Sequence, residues 1–292
     1  MQAYQAKRIQ FDEKYQMKVS VLILTRDEQD NLPSCLESVA WSDDVVVFDS
    51  YSVDHTVEIA RAAGARVLQR AFDDYASQRN SAMTDVKYKH PWVLMLDADE
   101  RPTRELLQEI EAVLAASDDQ VALYRVRRKD MFLGKWLRRS SGYPTWSARL
   151  FKPASVRVER EINEEYHTDG KVGLLKEHLV HYPFNKGIAF WLERHNCYSS
   201  MEAKILLKEI KARLDLRQLV SGDATMRRKC LKQVAFRMPC RPFLTFCYLY
   251  LFRLGFIDGV RGLTYCRLRS TYEYMIDLKV KELRRKEKGL PL

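Results

Sequence analysis

The sequence predicts an α/β protein: a mostly parallel sheet flanked by helices, with a helical extension behind it. Three observations carry this. Short β-rich runs alternate with helical spacing from residue 18 to residue 125. Those runs are apolar at consecutive positions, as in strands covered on both faces. Charge is split along the chain: residues from Lys186 onward hold 23 Lys and Arg against 10 Asp and Glu, while residues 1–185 hold 26 against 29. That is a near-neutral domain followed by a cationic appendage. The expected division is an N-terminal extension (1–17), a main domain (18–185) and a basic, aromatic-rich helical extension (186–292).

The elements follow in order. "KVSVLIL" (18–24) is apolar and β-branched, a first strand. "NLPSCLESVA" (31–40) repeats Leu32, Leu36 and Val39 at helical spacing. "DDVVVFDS" (43–50) is a second buried strand, and "SVDHTVEIARAAG" (52–64) an amphipathic helix closed by Gly64. "ARVLQR" (65–70) is a third strand and "DYASQRNSAMTD" (74–85) a helix. "PWVLMLDAD" (91–99) is a fourth strand, "TRELLQEIEAVLAA" (103–116) a fourth helix, and "VALYRVRRKD" (121–130) opens another strand. In such a sheet, ligands bind beyond the carboxyl ends of the strands. The polar residues there are Thr25, Arg26, Asp27 and Glu28, then Asp49, Ser50, Ser52 and Asp54, then Asp97, Asp99 and Glu100.

Several classes are excluded. The six cysteines form no C-x-x-C pair, which argues against a zinc site or a disulfide scaffold and for reduced thiols in the cytoplasm. The N-terminus has no apolar core for a signal peptide. No run reaches membrane-spanning length; the nearest, "FLTFCYLYLFRLGFI" (243–257), is short and interrupted by Arg253. No glycine lies between Gly64 and Gly134 or in the first strand-to-helix turn. The chain therefore has neither a P-loop nor a G-x-G-x-x-G dinucleotide loop.

A clustered acidic edge is costly unless a positive group occupies it. Two carboxylates at i and i+2 past a strand end, Asp97 and Asp99, can converge on Mg²⁺ or Mn²⁺, which keeps open positions for water and phosphates. The alternative is a solvated loop whose acids sit near a helix N-terminus, where the dipole favours them.

Four motifs, "VSVLILTRDEQDNLPSCLESV", "DSYSVDHTVEIA", "YASQRNSA" and "WVLMLDADE", stand in the order and spacing of inverting glycosyltransferases of family 2. The chain resembles that family over roughly residues 18–185, most closely its lipopolysaccharide-core and exopolysaccharide branch. "FLGKW", "YP", "RLFK" and a Val-His-Glu-like segment before "DGKVG" are typical there. The resemblance implies a GT-A (Rossmann-like) fold. It implies that Asp49 hydrogen-bonds the uracil or ribose of a nucleotide-sugar, with Thr25 and Glu28 lining the same pocket. Arg79 would face the base or diphosphate, Asp97 the ribose or sugar, and Asp99 the metal. Arg149 would reach the diphosphate.

An inverting transfer also needs a general base for the acceptor hydroxyl. "EREINEEYHTDGKVG" (159–173) supplies Glu159, Glu161, Glu164 and Glu165. In the resembled branch the base is the Glu of the Val-His-Glu-like triplet, and counting back from Gly170 gives Glu164. Asn163 stands where the family has His, and Glu165 is the adjacent alternative. His181, after "EHLVH" (177–181), is a third candidate metal ligand or else a satisfied edge histidine. Trp136 and Trp146 are candidates for stacking on sugars or for core positions.

Residues 186–292 read as helical, with Lys and Arg interleaved among Phe, Tyr and Leu. The apolar content is too high for a surface that tracks nucleic-acid phosphates. It suits helices lying in an anionic headgroup layer, with a helical subdomain or an oligomer interface as the alternative.

The expected function is a metal-dependent inverting hexosyltransferase. It would move a sugar from a nucleotide-sugar, UDP-linked by resemblance, to a glycan or lipid-linked acceptor in cell-envelope polysaccharide or lipopolysaccharide synthesis. The expected location is cytoplasmic, peripheral at the inner face of the membrane. The alternatives are a nucleotidyltransferase, which usually carries a Gly-rich, Lys-bearing first loop, and a non-catalytic protein binding membrane or nucleic acid through the tail.

Overall fold

The computed structural model describes residues 17–116, 119–159, 165–211, 215, 224–238 and 240–291. Two compact units emerge: residues up to 131 with 144–186, and 132–143 with 187–292. The loop 132–143 thus groups with the helical unit, although it lies inside the domain that composition marks as 18–185. Hydrogen bonds from this loop to residues far along the chain explain that grouping, and no local sequence signal reports them.

In the first unit, β1 (Ser20–Thr25), α1 (Leu32–Ser38), β2 (Val45–Asp49), α2 (Thr56–Ala62), β3 (Arg66–Gln69), α3 (Tyr75–Thr84) and β4 (Val93–Asp97) alternate as expected. They are followed by β5 (Glu100–Pro102), α4 (Arg104–Ala115) and β6 (Val121–Phe132). The fourth strand ends at Asp97, earlier than the expected residue 99, and the next three residues after the turn form β5 before α4 begins. Two helix starts have side-chain caps: Asp74 accepts from the Ser77 N–H at 2.9 Å, and Thr103 from the Leu106 N–H at 3.2 Å.

β7 (Lys135–Trp136) belongs to the second unit; the first resumes with β8 (Thr145–Phe151), β9 (Val156–Glu159), β10 (Glu165–Thr168) and β11 (Lys171–His181). The main sheet runs β3-β2-β1-β4-β8-β6-β11-β5, and β9 and β10 form a separate antiparallel pair. β3, β2, β1 and β4 are parallel, β8 is inserted antiparallel to both β4 and β6, and β11 is parallel to β6.

Because β1, β2 and β4 are buried on both faces, alternate residues feed two cores. Val21, Ile23, Leu94 and Leu96 pack with Leu32, Cys35, Leu106 and Ile110 on one side. Leu22, Val46, Phe48 and Met95 pack with Ala82 and Met83 of α3 on the other. Each such aliphatic side chain contributes about 1.5–3 kcal/mol on burial, which is what holds the strand ends in fixed register.

Asp44 fastens the opposite edge: Ser20 Oγ, the Lys89 N–H and Arg66 Nη2 donate to it at 2.5, 2.8 and 2.7 Å. Burial alone would raise its pKa, but these donors hold it below the ordinary 3.8. Its stabilisation is therefore complete above the unfolded value and is lost as pH falls through the folded one. Asp44→Asn is expected to flatten the acid limb of a stability–pH curve; an unchanged limb would show that Asp44 does not contribute to it.

The second unit contains α5 (Gly187–Lys211), α6 (Ala224–Arg237), α7 (Arg241–Cys247) and α8 (Gly259–Glu287). Ala203, Leu206 and Leu207 pack against Tyr272, Ile276 and Val280. Arg241 is paired to Glu273 at 2.5 Å.

Candidate active site at the carboxyl edge of the sheet

Parallel register brings the predicted residues to one edge. Thr25 pairs with Asp49 across β1–β2, and Leu24 with Asp97 across β1–β4. Asp49, however, faces inward. It has 0% exposure and accepts from Thr25 Oγ1 at 2.9 Å, the Ser52 N–H at 2.9 Å, Ser52 Oγ at 2.5 Å and Gln69 Nε2 at 3.0 Å. With both oxygens engaged, Asp49 organises the loop after β2. Thr25 is buried with it and serves it as a donor.

The loops after β1 and β2 are laced together. Ser52 Oγ accepts from the Asp27 N–H at 2.8 Å, and Thr56 Oγ1 from the Glu28 N–H at 2.7 Å. Asp27 and Tyr51 both hold φ +54°, a left-handed conformation that non-glycine residues adopt at an energetic cost and that clusters at functional sites. The lacing holds them there. Glu28 accepts from Asn31 Nδ2 at 2.8 Å and Lys186 Nζ at 3.1 Å; burial nevertheless raises its pKa.

The D-x-D carboxylates diverge. Asp97 Oδ2 accepts from Arg149 Nη2 at 2.5 Å, and its Oδ1 from Arg79 Nη2 at 3.2 Å. Arg149 also donates to Glu100 Oε1 at 2.8 Å. Asp97 lies in a buried setting that would raise its pKa, yet Arg149 and Arg79 hold it well below the usual carboxylate range. The antiparallel β8 makes this possible: Leu150 pairs with Leu94, so Arg149, one residue earlier, comes alongside the end of β4.

Asp99 turns the other way, with Oδ2 3.3 Å from His181 Nε2; His181 Nδ1 lies 2.7 Å from Asp130 Oδ1. Burial disfavours the imidazolium, but the two carboxylates outweigh it and push the His181 pKa up to about 9. Strand pairing sets this up, since His181 lies opposite Asp130 on β6 and opposite Glu100 on β5.

Among the described residues, no three His, Cys, Asp or Glu side chains are grouped to hold a metal ion. The convergence of Asp97 and Asp99 on one cation is therefore not the arrangement seen, because the arginines occupy Asp97. Asp99 and His181 fit a divalent cation once the imidazole gives up its Nε2 proton, which the cation would displace. They offer an oxygen and a nitrogen side by side, and Asp130 orients the imidazole from behind, as carboxylates commonly do for histidine ligands.

A cleft of about 590 Å³ opens beside these groups, lined by Arg79, Asp97, Arg128, Trp146, Arg149 and Glu165, among others. Glu164 lies outside the described residues; Glu165, its neighbour, begins β10 and lines the cleft. Trp146 thus stands at the cleft, whereas Trp136 belongs to the second unit. Asp130 and Arg128 were not singled out by sequence, and Glu100 only as one of the strand-end acids. Glu100 is fully buried, and its one sequence signal was being a third acid after an apolar strand.

The first unit matches glycosyl transferase family 2 over residues 20–178, and the chain belongs to that family. It is a glycosyltransferase, and the fold is the GT-A, Rossmann-like one. An uncharacterized glycosyltransferase of Rickettsia typhi is 30% identical over 206 residues, covering 66% of this chain and 70% of that one. The lipopolysaccharide core biosynthesis glycosyltransferase LpsC of Rhizobium meliloti is 27% identical over 164 residues, covering 54% and 60%. Glucosyl-3-phosphoglycerate synthase from Mycobacterium tuberculosis, solved with Mn²⁺ and UDP, is 17% identical with a TM-score of 0.36, covering 47% of this chain and 57% of that one.

Proposed function

We propose that the protein is a metal-dependent inverting hexosyltransferase that uses a UDP-linked sugar and a glycan or lipid-linked acceptor of the cell envelope. The observation that carries this is one cleft holding Asp97 with its two arginines and a glutamate of the candidate base segment. Similarity to LpsC supports an acceptor in lipopolysaccharide core synthesis.

The acceptor hydroxyl attacks the anomeric carbon on the face opposite the diphosphate. The new C–O bond forms as the bond to the diphosphate breaks, and the hydroxyl proton passes to Glu164 or Glu165. Arg149 and Arg79 keep Asp97 ionised and fixed against the donor, and their remaining positive field favours charge building on the diphosphate. A divalent cation held by Asp99, with His181 beside it, would supply further neutralisation of that leaving group.

Asp99→Ala is expected to abolish the Mn²⁺-dependent part of UDP binding while leaving the apo melting temperature near that of the parent. A thermal-shift series with UDP, with and without Mn²⁺, measures both, because a ligand that binds only the native state raises its melting temperature. Equal Mn²⁺-dependent shifts in parent and variant would remove Asp99 from the metal's coordination.

A further inference from the structure

We infer that residues 241–261 form a rigid elbow that dips into one leaflet of an anionic membrane without crossing it, with loop 132–143 supplying headgroup contacts. The inference concerns the second unit alone and is independent of the donor and acceptor proposed above.

The elbow is built from α7, a π-helical turn at Tyr248–Phe252, a 3₁₀ turn at Gly255–Asp258 and the start of α8. No single described helix is long and apolar enough to cross a membrane; Arg241–Phe252 and Gly255–Glu287 pass such a test only together, bent by 74°. The bend is packed tightly. A Cβ on Gly262 would lie 2.1 Å from the Gly255 carbonyl oxygen, and one on Gly255 would lie 2.6 Å from the Leu249 oxygen. Only glycine allows that approach.

Apolar side chains crowd the outside of the bend. Phe252 is 81% exposed, Phe256 48%, Ile257 59% and Val260 79%, and Phe243 on α7 is 64% exposed. Contiguous exposed apolar surface of this kind marks an interaction site.

The polar groups of the same stretch are turned inward. Arg253, which breaks the apolar run in sequence, donates to the Tyr143 carbonyl at 2.5 Å. Asp258 accepts from the Arg138, Arg139 and Ser140 N–H groups at 3.2, 2.9 and 2.8 Å and from Ser140 Oγ at 2.7 Å. Arg261 Nε donates to the Leu133 carbonyl at 3.0 Å. The charged side chains of the bend are therefore bonded back to loop 132–143 while the apolar ones stand outside it.

Charge selects the occupant. Loop 132–143 holds three Lys and Arg and no acid, and the one acid of 241–261, Asp258, is already satisfied, while Arg241 is paired to Glu273. Lys135, Arg138 and Arg139 are exposed on the loop bonded to the elbow. Apolar side chains ringed by cations match an anionic leaflet, with acyl chains at the tip and phosphates around it. A second copy of this chain would bring the same cations together and repel.

The test is co-sedimentation of the full chain with vesicles of equal phosphatidylglycerol and phosphatidylcholine. The double variant Phe252→Ser, Ile257→Ser should lose vesicle binding by roughly tenfold or more, since two exposed anchors of this size are removed. Its circular dichroism and its UDP thermal shift should stay as in the parent. Parent binding should weaken in high salt without vanishing, and alkaline carbonate should release it. Phe252→Trp should be quenched by bromine-labelled acyl chains. The inference is overturned if the double variant binds vesicles as the parent does, or if Phe252→Trp is not quenched. It is equally overturned if carbonate fails to release the chain, or if the double variant loses only self-association in lipid-free solution.

Discussion

Glu164→Gln is expected to bind UDP as tightly as the parent and to transfer sugar about 10²–10⁴-fold more slowly, the usual contribution of a general base. Glutamine keeps the size and hydrogen-bonding reach of glutamate but cannot take the proton. Glu165→Gln is the paired control. Glu165 lines the cleft that also holds Asp97 and Arg149, while the residue count from Gly170 points to Glu164. The two assignments differ by one residue, and the transfer needs only one carboxylate to take the proton. One variant should therefore lose turnover and the other retain most of it. The measurement is transfer from labelled UDP-sugar to a lipid extract of the producing cells, with calorimetry for UDP affinity. Loss of UDP affinity in parallel with turnover would mean a binding role; full turnover in both variants would place the base elsewhere.

Arg149→Met is expected to destabilise the first unit by about 3–5 kcal/mol, the usual cost of leaving buried charge without its partner. Arg149 side-chain exposure is 5% and that of Glu100 is 0%, so water cannot take over the guanidinium's role. Asp97 would lose its shorter ion pair at the same moment. Adding Glu100→Gln to Arg149→Met should recover part of the loss, since the amide no longer buries a charge. Arg149→Lys should fall in between: both carboxylates are reached from the single Nη2 atom, so an ammonium keeps the charge but loses the guanidinium's reach and its other donors. Chemical denaturation of the variants against the parent measures all three. If Arg149→Met is within 1 kcal/mol (a threshold of roughly the spread of ordinary surface substitutions), the clamp contributes little to folding.

The D-x-D stretch shows how far sequence reading reached. An apolar run ending in acids located the strand end, and the alternation of elements located that end at the ligand edge of the sheet. Which acid faces what was not legible. Asp97 is claimed by Arg149 from a strand 52 residues away and Asp99 by His181, and local spacing contains neither distance. Asp49 is the sharper case. The family pattern names it, and only the fold shows the hydroxyl of Thr25 and the amide of Gln69 bonded to its carboxylate. Arg253 is similar in the second unit: as a letter it interrupts an apolar run, and as a side chain it is folded under the elbow.

The sequence by itself determined the local and periodic features: the alternation of strands and helices from β1 to β6 apart from β5, the two-faced burial of β1, β2 and β4, the near-neutral first part and the cationic tail, and the family. These depend on residue type and short spacing, which the chain carries at every position. Only the tertiary structure decided the partners of each charge, the antiparallel insertion of β8 that delivers Arg149, and the assignment of loop 132–143 to the helical unit. Those follow from contacts between residues far apart in sequence. There, burial makes an unpaired charge so costly that packing, and not residue identity alone, selects its partner.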